Sequence, residues 1–159
     1  MKVSILAVGR LKSGAEQTLF NRYFDLFNAS ARNLKIPPIA LVEVAEARNE
    51  NPAERKEAEA YELSAKLASN ARVVALDEHG QLLSSEEFTA MIGRIRDEAL
   101  DVAFVIGGPD GHGEGLLKAS HFQLSLGKMT FPHGLARIIL AEQLYRAMTI
   151  MQGHPYHRP

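Results

Sequence analysis

The end of the chain combines side chains that can accept protons and bind anions. Residues His154–Arg158 read His-Pro-Tyr-His-Arg. Histidine titrates near neutral pH, arginine can hold a phosphate or a developing anion, and tyrosine can stack on or hydrogen-bond an aromatic base. Chain ends are often frayed, but this set of donors has no role in building a core. The tail therefore predicts a cluster with a chemical role, although residue types alone do not choose among its members.

Two glycine-containing loops precede this tail. Residues Gly107–Gly111 read Gly-Gly-Pro-Asp-Gly after an apolar segment, and Leu126–Phe131 read Leu-Gly-Lys-Met-Thr-Phe. Glycines allow the backbone to approach a ligand where a side chain would collide. The first loop alone could be a simple tight turn. The second carries apolar side chains where an ordinary connection is polar, so we expect a flat, apolar ligand.

Familiar phosphate-binding motifs do not describe these loops. A P-loop needs Gly-Lys followed by Ser or Thr, but Gly127-Lys128 is followed by Met129. The dinucleotide fingerprint belongs to the first strand-helix turn, whereas Gly107 lies late in the chain. A dinucleotide-dependent oxidoreductase is therefore disfavoured.

Alternating strands and helices must position the loops. We predict strands at Lys2–Val8, Ile39–Val44, Ala71–Leu76, Val102–Ile106 and Phe122–Leu126, helices at about Ala15–Arg32, Pro52–Ser69, Ser84–Ala99, Gly115–Ala119 and Leu135–Gln152, and a turn at Asp77–Gly80. Asn51 and Ser84 are helix caps, the latter in a capping box with Glu87. This pattern predicts an α/β fold, a mostly parallel sheet sandwiched by helices, in one domain over residues 1–159. Leu76 and both glycine loops then share the carboxyl edge of the sheet.

Composition narrows the class of protein. The 159 residues are 46% hydrophobic and 23% charged and include no cysteine, which excludes disulfides, thiolate metal sites and a cysteine nucleophile. No apolar run is long enough to cross a bilayer and no signal-peptide pattern is present, so we expect a cytoplasmic protein without a membrane partner. His154 and His157 lack a third close ligand, so we expect no metal.

Charge is distributed unevenly along the chain. The formal net charge is −1, but residues 1–115 hold 13 Lys/Arg against 18 Asp/Glu, whereas residues 116–159 hold five against Glu142 alone. Binding of nucleic acid needs clustered basic residues. Any surface that faces a polyanion is therefore expected in the C-terminal part.

The C-terminal motifs resemble those of the ribosomal RNA large subunit methyltransferase H family, small members of the SPOUT methyltransferases. The resemblance is strongest over residues 100–159 and is carried by Val105–Gly111, Leu126–His133, Arg137, Glu142–Arg146 and His154–Arg158. It implies S-adenosylmethionine as cofactor, N3-methylation of a pseudouridine in large-subunit (23S) ribosomal RNA of assembled ribosomes, a homodimer, and a C-terminal trefoil knot. Segment periodicity alone would predict an ordinary open sheet. The loop Ala45–Pro52 departs from the family in being less basic.

Family roles can be carried over by position. The resemblance assigns the cofactor to Leu76, Gly107, Gly108, Leu126, Gly127, Lys128, Met129, Thr130 and Phe131. The proton and charge chemistry of the implied methyl transfer assigns the catalytic role, as a cluster, to His154, Tyr156, His157 and Arg158. The chemistry agrees, because apolar side chains can sandwich adenine while loop amides bind its edge. Core packing is the alternative for Leu76, Met129 and Phe131, and a solvated cation is the alternative for Lys128.

Further contacts to RNA are expected from His133, Arg137 and Arg146. His133 has the alternative of a capping or packing role. The two arginines lie nine residues apart on one helix, about 180° around its axis, so they cannot face the same partner. We expect one to face RNA and the other to pair with Glu142 or with a neighbouring subunit. The same helix has more than one apolar stripe. One should cover the sheet and another would be exposed in a monomer, which favours a two-fold dimer built on this helix. A rival hypothesis is a non-catalytic RNA-binding protein of the same fold.

Overall fold

The computed structural model describes residues 1–158, in which strands and helices alternate as the sequence predicts. The strands are β1 (Val3–Val8), β2 (Ala40–Val44), β3 (Ala71–Leu82), β4 (Asp101–Ile106) and β5 (Phe122–Ser125), and the helices are α1 (Ala15–Asn33), α2 (Pro52–Ser64), α3 (Ser85–Asp97), α4 (Glu114–Ala119) and α5 (His133–Met151).

The five strands form one parallel sheet in the order β2-β1-β4-β3-β5. Strand β4 is central, and its residues Val102–Ile106 are buried, as expected for an apolar strand covered on both faces. The parallel direction brings the carboxyl ends of all five strands to one edge of the sheet. The predicted α/β fold class is thereby confirmed.

Helices cover both faces of the sheet. Helices α1, α3 and α5 enclose one core, which contains Phe20, Phe27, Phe88, Phe104 and Leu144. Helices α2 and α4 enclose a smaller core on the other face. The result is a three-layer sandwich.

The two predicted helix caps are confirmed, whereas the last helix begins at His133, two residues before the predicted start. The Asn51 side chain accepts a hydrogen bond from the Ala53 amide at 2.8 Å. Ser84 and Glu87 form the reciprocal capping box. Helix α2 ends at Ser64, earlier than predicted, because the amides of Lys66 and Leu67 bond to carbonyls three residues back, which tightens and ends the helix.

The turn predicted at Asp77–Gly80 is wrong, because β3 continues to Leu82. Leu76 and Gln81 both align with Leu124 of β5, so the extra residues form an irregularity within the strand and do not end it. A Cβ at Gly80 would lie 2.6 Å from the Gln123 carbonyl oxygen, so glycine is required where the two strands close together. Pairing with β5 overrides the local preference for a turn.

Helix α5 packs against both α1 and α3. Most of its apolar residues are buried within the chain, so the expectation that a monomer leaves a second apolar stripe exposed is wrong for most of the helix. Leu135 remains 41% exposed, and Leu19 of the adjoining α1 is 39% exposed. In residues 1–158 no helix has the length and apolar character that a membrane span requires.

Candidate active site

A cavity of about 750 Å³ opens at the carboxyl edge of the sheet. Most of its wall comes from three segments: residues 76–79 of β3, residues 106–112 at the end of β4 and just after it, and Leu126 with residues 130–133 at the start of α5. The convergence predicted for the rim loops is therefore confirmed. The volume is in the range of small-molecule sites.

Most of the residues predicted to bind a cofactor line this cavity. The lining members are Leu76, Gly107, Gly108, Leu126, Thr130 and Phe131. Gly127, Lys128 and Met129 belong to the same loop but do not contribute to the lining, and the Met129 side chain is 75% exposed. A Cβ at Gly127 would lie 3.2 Å from the Phe131 ring, so Gly127 lets that ring fold back over the loop.

Hydrogen bonds hold the loop Leu126–Phe131 against the extended end of β3. The Thr130 hydroxyl donates to the Glu78 carboxylate at 2.6 Å. The Ser125 hydroxyl lies 3.1 Å from the Glu78 carbonyl oxygen and 2.9 Å from that of Gly127. These contacts depend on the continuation of β3 past Leu76, so the extra strand residues shape one wall of the cavity.

A side chain of α2 holds the turn Gly107–Gly111 in place. Arg55 donates to the Asp110 carboxylate at 2.8 Å and also bonds the carbonyls of Asn49 and Glu50. The hydrogen bond from Arg55 lowers the pKa of Asp110, despite partial desolvation. A Cβ at Gly107 would lie 2.9 Å from the backbone of Gly111, so the turn closes on itself only with glycine there.

Polar residues of the cavity wall that sequence reasoning missed include Asp77, Glu78, His79 and His112, and also Lys56 and Glu114. The first three fall in the segment interpreted as a turn. His112 directly follows the loop Gly107–Gly111. This position, one residue beyond a loop predicted to bind a ligand, is the sequence feature that could have indicated it. His112 is 6% exposed.

A buried carboxyl group lies beneath the glycine loop. Glu59 of α2 is 4% exposed, and its Oε1 accepts a hydrogen bond from the Ala47 amide at 3.0 Å. Its Oε2 is unpaired and would lie 2.8 Å from a Cβ at Gly108. Burial raises the pKa of Glu59, and the Ala47 amide acts in the opposite direction.

The tail is docked on α5 of its own chain by Tyr156. The Tyr156 ring lies 4.6 Å from that of Tyr145, and the Arg146 guanidinium lies 4.8 Å from its centre. The Tyr156 hydroxyl donates to Glu142 at 2.9 Å. Burial and this hydrogen bond raise the pKa of Tyr156, so the group stays a phenol and anchors the tail.

The tail histidines are also in contact with neighbouring groups. His157 Nε2 lies 2.7 Å from a Glu86 carboxylate oxygen, and its Nδ1 lies 3.4 Å from the Arg146 guanidinium. The His154 Nδ1 accepts a hydrogen bond from the Tyr156 amide. His154 and Arg158 are exposed. The structure therefore brings Tyr156 and His157 together beside Glu86 of α3 and residues 142–146 of α5, with His154 bound to the Tyr156 amide.

The tail cluster and the cavity are separate within one chain. None of residues 154–158 contributes to the cavity wall. The tail contacts Glu86, Glu142, Tyr145 and Arg146 instead. One copy of the chain thus presents a cavity without its predicted catalytic groups.

The prediction that Arg137 contacts RNA is corrected by the structure. Arg137 is 0% exposed and donates to the carbonyls of Val8 and Gly9 at 2.6 and 2.7 Å and to Glu43 at 2.8 Å. Burial lowers its pKa and Glu43 counteracts this effect. The side chain is directed into the protein, where its acceptors lie at the end of β1 and near the end of β2. Arg137 therefore joins α5 to the sheet.

The other two residues predicted to bind RNA have different surroundings. Arg146 pairs with Glu142 through its Nε at 3.0 Å, one of the two alternatives considered from the sequence. His133 is the first residue of α5 and lines the cavity. Its side chain is not a cap, since the cap position is Pro132 without a side-chain hydrogen bond. Among residues 1–158 no group of His, Cys, Asp and Glu is arranged to hold a metal ion.

Comparison with known proteins identifies relatives over the whole chain. Residues 1–157 match the family model described as a predicted SPOUT methyltransferase. The chain is 51% identical to ribosomal RNA large subunit methyltransferase H of Methylocella silvestris and 45% identical to the protein of that name from Brucella anthropi, with 99% of each chain covered. The solved structure of a probable methylase family protein from Haemophilus influenzae aligns with a TM-score of 0.51 at 11% identity, covering 99% of this chain and 70% of that chain, and this supports the fold.

Proposed function

Because the chain belongs to the SPOUT methyltransferase family, with relatives named ribosomal RNA large subunit methyltransferase H, we propose that it methylates N3 of a pseudouridine in large-subunit ribosomal RNA with S-adenosylmethionine. The observation that carries the proposal is the single cavity formed by Leu76, the turn Gly107–Gly111 and the loop Leu126–Phe131. These three segments are the ones at which family membership would locate the cofactor.

The chemistry of the cavity wall fits this cofactor. Leu76, Leu126 and Phe131 supply apolar surface for the faces of an adenine ring. The carboxylates of Asp77 and Glu78 at the rim favour a ligand with a sulfonium and an ammonium group. We therefore assign the nucleoside to the apolar interior and the charged end of the cofactor to the rim.

Methylation at N3 requires the loss of a proton. When bound, S-adenosylmethionine supplies an electrophilic methyl group on its sulfonium. The N3–H bond breaks, the N3–methyl bond forms, and the methyl–sulfur bond breaks to leave a thioether, so a group near N3 must take up or stabilise the departing charge. We assign this task to His154, His157 and Arg158. In both histidines Nδ1 faces a hydrogen-bond donor, the Arg146 guanidinium for His157 and the Tyr156 amide for His154. Either Nδ1 could therefore accept the N3 proton only after that donor moves away.

The second subunit of a homodimer would complete the site. Within one chain the tail cluster lies away from the cavity, and the exposed Leu19 and Leu135 on adjoining helices offer an apolar contact surface. We propose that a two-fold dimer places the tail of one subunit over the cavity of the other. The joined C-terminal parts would also gather basic charge for RNA, because each has five Lys/Arg against one Asp/Glu.

The proposal includes the C-terminal trefoil knot that family membership implies.

Labelled S-adenosylmethionine and purified ribosomes that lack the modification would test the activity. We expect label in the large-subunit RNA, recovered as N3-methylpseudouridine by mass spectrometry of nucleosides, and none when the RNA lacks pseudouridine. Calorimetry should show binding of S-adenosylmethionine but not of NAD. Cofactor binding without any labelled RNA would favour the rival RNA-binding protein and refute the enzyme.

Subunit complementation would test the shared site. A variant with a disrupted cavity, Gly107→Ala, and a variant truncated after Gly153 should each be inactive. Co-expressed, they should recover about a quarter of the wild-type activity, because half of the dimers are mixed and each has one intact site. Failure to recover activity in demonstrated mixed dimers would mean that each tail serves its own cavity.

A further inference from the structure

Lys56 of α2 brings a positive charge to the wall of the cavity. The residue lines the cavity and is partly buried. Its carbonyl oxygen would lie 3.1 Å from a Cβ at Gly113, so this turn of α2 packs directly against the segment that follows the turn Gly107–Gly111. The preceding residue, Arg55, bonds to Asp110 at 2.8 Å. The backbone that carries Lys56 is therefore fixed relative to the glycine turn.

The ammonium group of Lys56 has no partner in the part of the chain that the structure describes. Asp110 pairs with Arg55 and Glu114 pairs with Lys118, not with Lys56. Four acidic residues line the cavity together with Lys56, and each of their carboxylates accepts a hydrogen bond within the chain: Asp77, Glu78, Asp110 and Glu114. The wall thus contains compensated carboxylates and, within residues 1–158, one uncompensated lysine.

The neighbouring carboxylates show that this ammonium group lies at the cavity. The hydrogen bond from Arg55 lowers the pKa of Asp110. The hydrogen bond from Lys118 likewise lowers the pKa of Glu114. The charge of Lys56 adds to both effects, so its ammonium group is within electrostatic range of two residues of the wall. Because other cations already pair with both carboxylates, the charge of Lys56 is free to act on a ligand.

S-adenosylmethionine carries a group that the acidic rim does not suit. Its amino-acid part has a carboxylate beside the ammonium group, and the sulfonium supplies a further positive charge. Asp77 and Glu78 attract the positive groups but repel the carboxylate. A lysine ammonium is a strong hydrogen-bond donor to a carboxylate. Lys56 is the cavity residue whose charge matches this end of the ligand.

We propose that Lys56 binds the carboxylate of the amino-acid part of S-adenosylmethionine and so favours the intact cofactor over ligands that lack this group. The inference rests on the proposed function and adds to it a specificity-determining residue of α2, outside both glycine loops. It predicts that the contribution of the lysine charge to affinity depends on the carboxylate of the ligand.

Two ligands and three variants isolate this contact. Decarboxylated S-adenosylmethionine keeps the nucleoside, the sulfonium and the ammonium group and lacks only the carboxylate. Calorimetry with each ligand compares the full-length wild type with Lys56→Met, which removes the charge, and Lys56→Arg, which keeps it. Lys66→Met is the matched control, because Lys66 is exposed and lies outside the cavity wall. Urea unfolding without ligand measures the stability of the same samples.

We expect Lys56→Met to bind S-adenosylmethionine about tenfold more weakly than the wild type does. Its affinity for the decarboxylated ligand should equal that of the wild type. The wild type and Lys56→Arg should both prefer the intact cofactor, whereas Lys56→Met should lose this preference. Lys66→Met should behave as the wild type, and all variants should unfold at the same urea concentration. A purely structural role of Lys56 would not make its effect depend on the ligand carboxylate.

Equal weakening of both ligands by Lys56→Met would overturn the assignment, since the lysine would then act independently of the carboxylate. Unchanged affinity of Lys56→Met for S-adenosylmethionine, or a wild type without preference between the two ligands, would also overturn it while leaving the proposed function intact. A wild-type protein that binds neither ligand would refute the proposed function and, with it, the role of Lys56.

Discussion

Replacing Arg137 by methionine should strongly destabilise the protein. The substitution keeps an unbranched side chain of similar length but removes every donor. Three acceptors then lose their partner: the carbonyls of Val8 and Gly9 and the carboxylate of Glu43. Since Arg137 is 0% exposed, water cannot readily replace it. A role in RNA binding, in contrast, would leave folding unaffected.

The size of the effect follows from these contacts. Leaving a buried carbonyl unpaired costs about 1–3 kcal/mol, and removing one partner of a buried ion pair costs about 3–5 kcal/mol. The two costs overlap, and Glu43 is 23% exposed and also accepts from the Leu11 amide. We therefore expect a total loss of about 3–5 kcal/mol, which lowers the melting temperature of a chain of this size by about 6–20 °C.

Urea unfolding followed by circular dichroism measures this loss. All samples should be compared at one protein concentration, because dimerisation would couple stability to concentration. Arg137→Lys keeps the charge but has one nitrogen for three acceptors, so it should fall between wild type and Arg137→Met. The exposed Arg94 on α3 provides the matched control, and Arg94→Met should change stability by at most about 0.5 kcal/mol. If Arg137→Met stays within about 1 kcal/mol of wild type, the joining role is refuted.

Two further predictions concern the cavity and the carboxyl group beneath it. Gly107→Ala should abolish detectable binding of S-adenosylmethionine, because the added Cβ would lie 2.9 Å from the Gly111 backbone. The control Gly115→Ala, whose Cβ has its nearest contact at 3.7 Å, should bind normally. Equal affinities of the two variants by calorimetry would contradict the steric argument. The pKa of Glu59 is raised in the folded state above its ordinary value of 4.5. Above about pH 4.5 the unfolded chain therefore loses this proton while the folded chain keeps it, and the free energy of unfolding falls as the pH rises. Glu59→Gln should therefore unfold at progressively higher urea concentration than wild type as pH is raised, and the exposed Glu62→Gln should not; parallel pH profiles for wild type and Glu59→Gln would count against a protonated Glu59.

Local sequence was sufficient for the order and type of the elements. The apolar run Val102–Ile106 indicated the central strand, and Ser84 with Glu87 indicated the start of α3, since strand burial and helix capping depend on residues close together in the chain. The two glycine loops also indicated the site, because parallel strands bring their carboxyl ends to one edge. The family motifs, unlike the pattern of strands and helices, also predicted roles for individual residues.

Contacts between distant segments determined the rest. Residues Asp77–Leu82 have the composition of a turn, but they continue β3 because the end of this segment pairs with β5. Neither segment alone predicts this pairing. Arg137 is directed inward by acceptors more than 90 residues away, and a sequence cannot distinguish such an arginine from a surface cation. The burial of His112 and the distance of the tail from the cavity likewise arise from packing, because neighbours in space, and not in the chain, decide whether a polar group meets water, protein or a ligand.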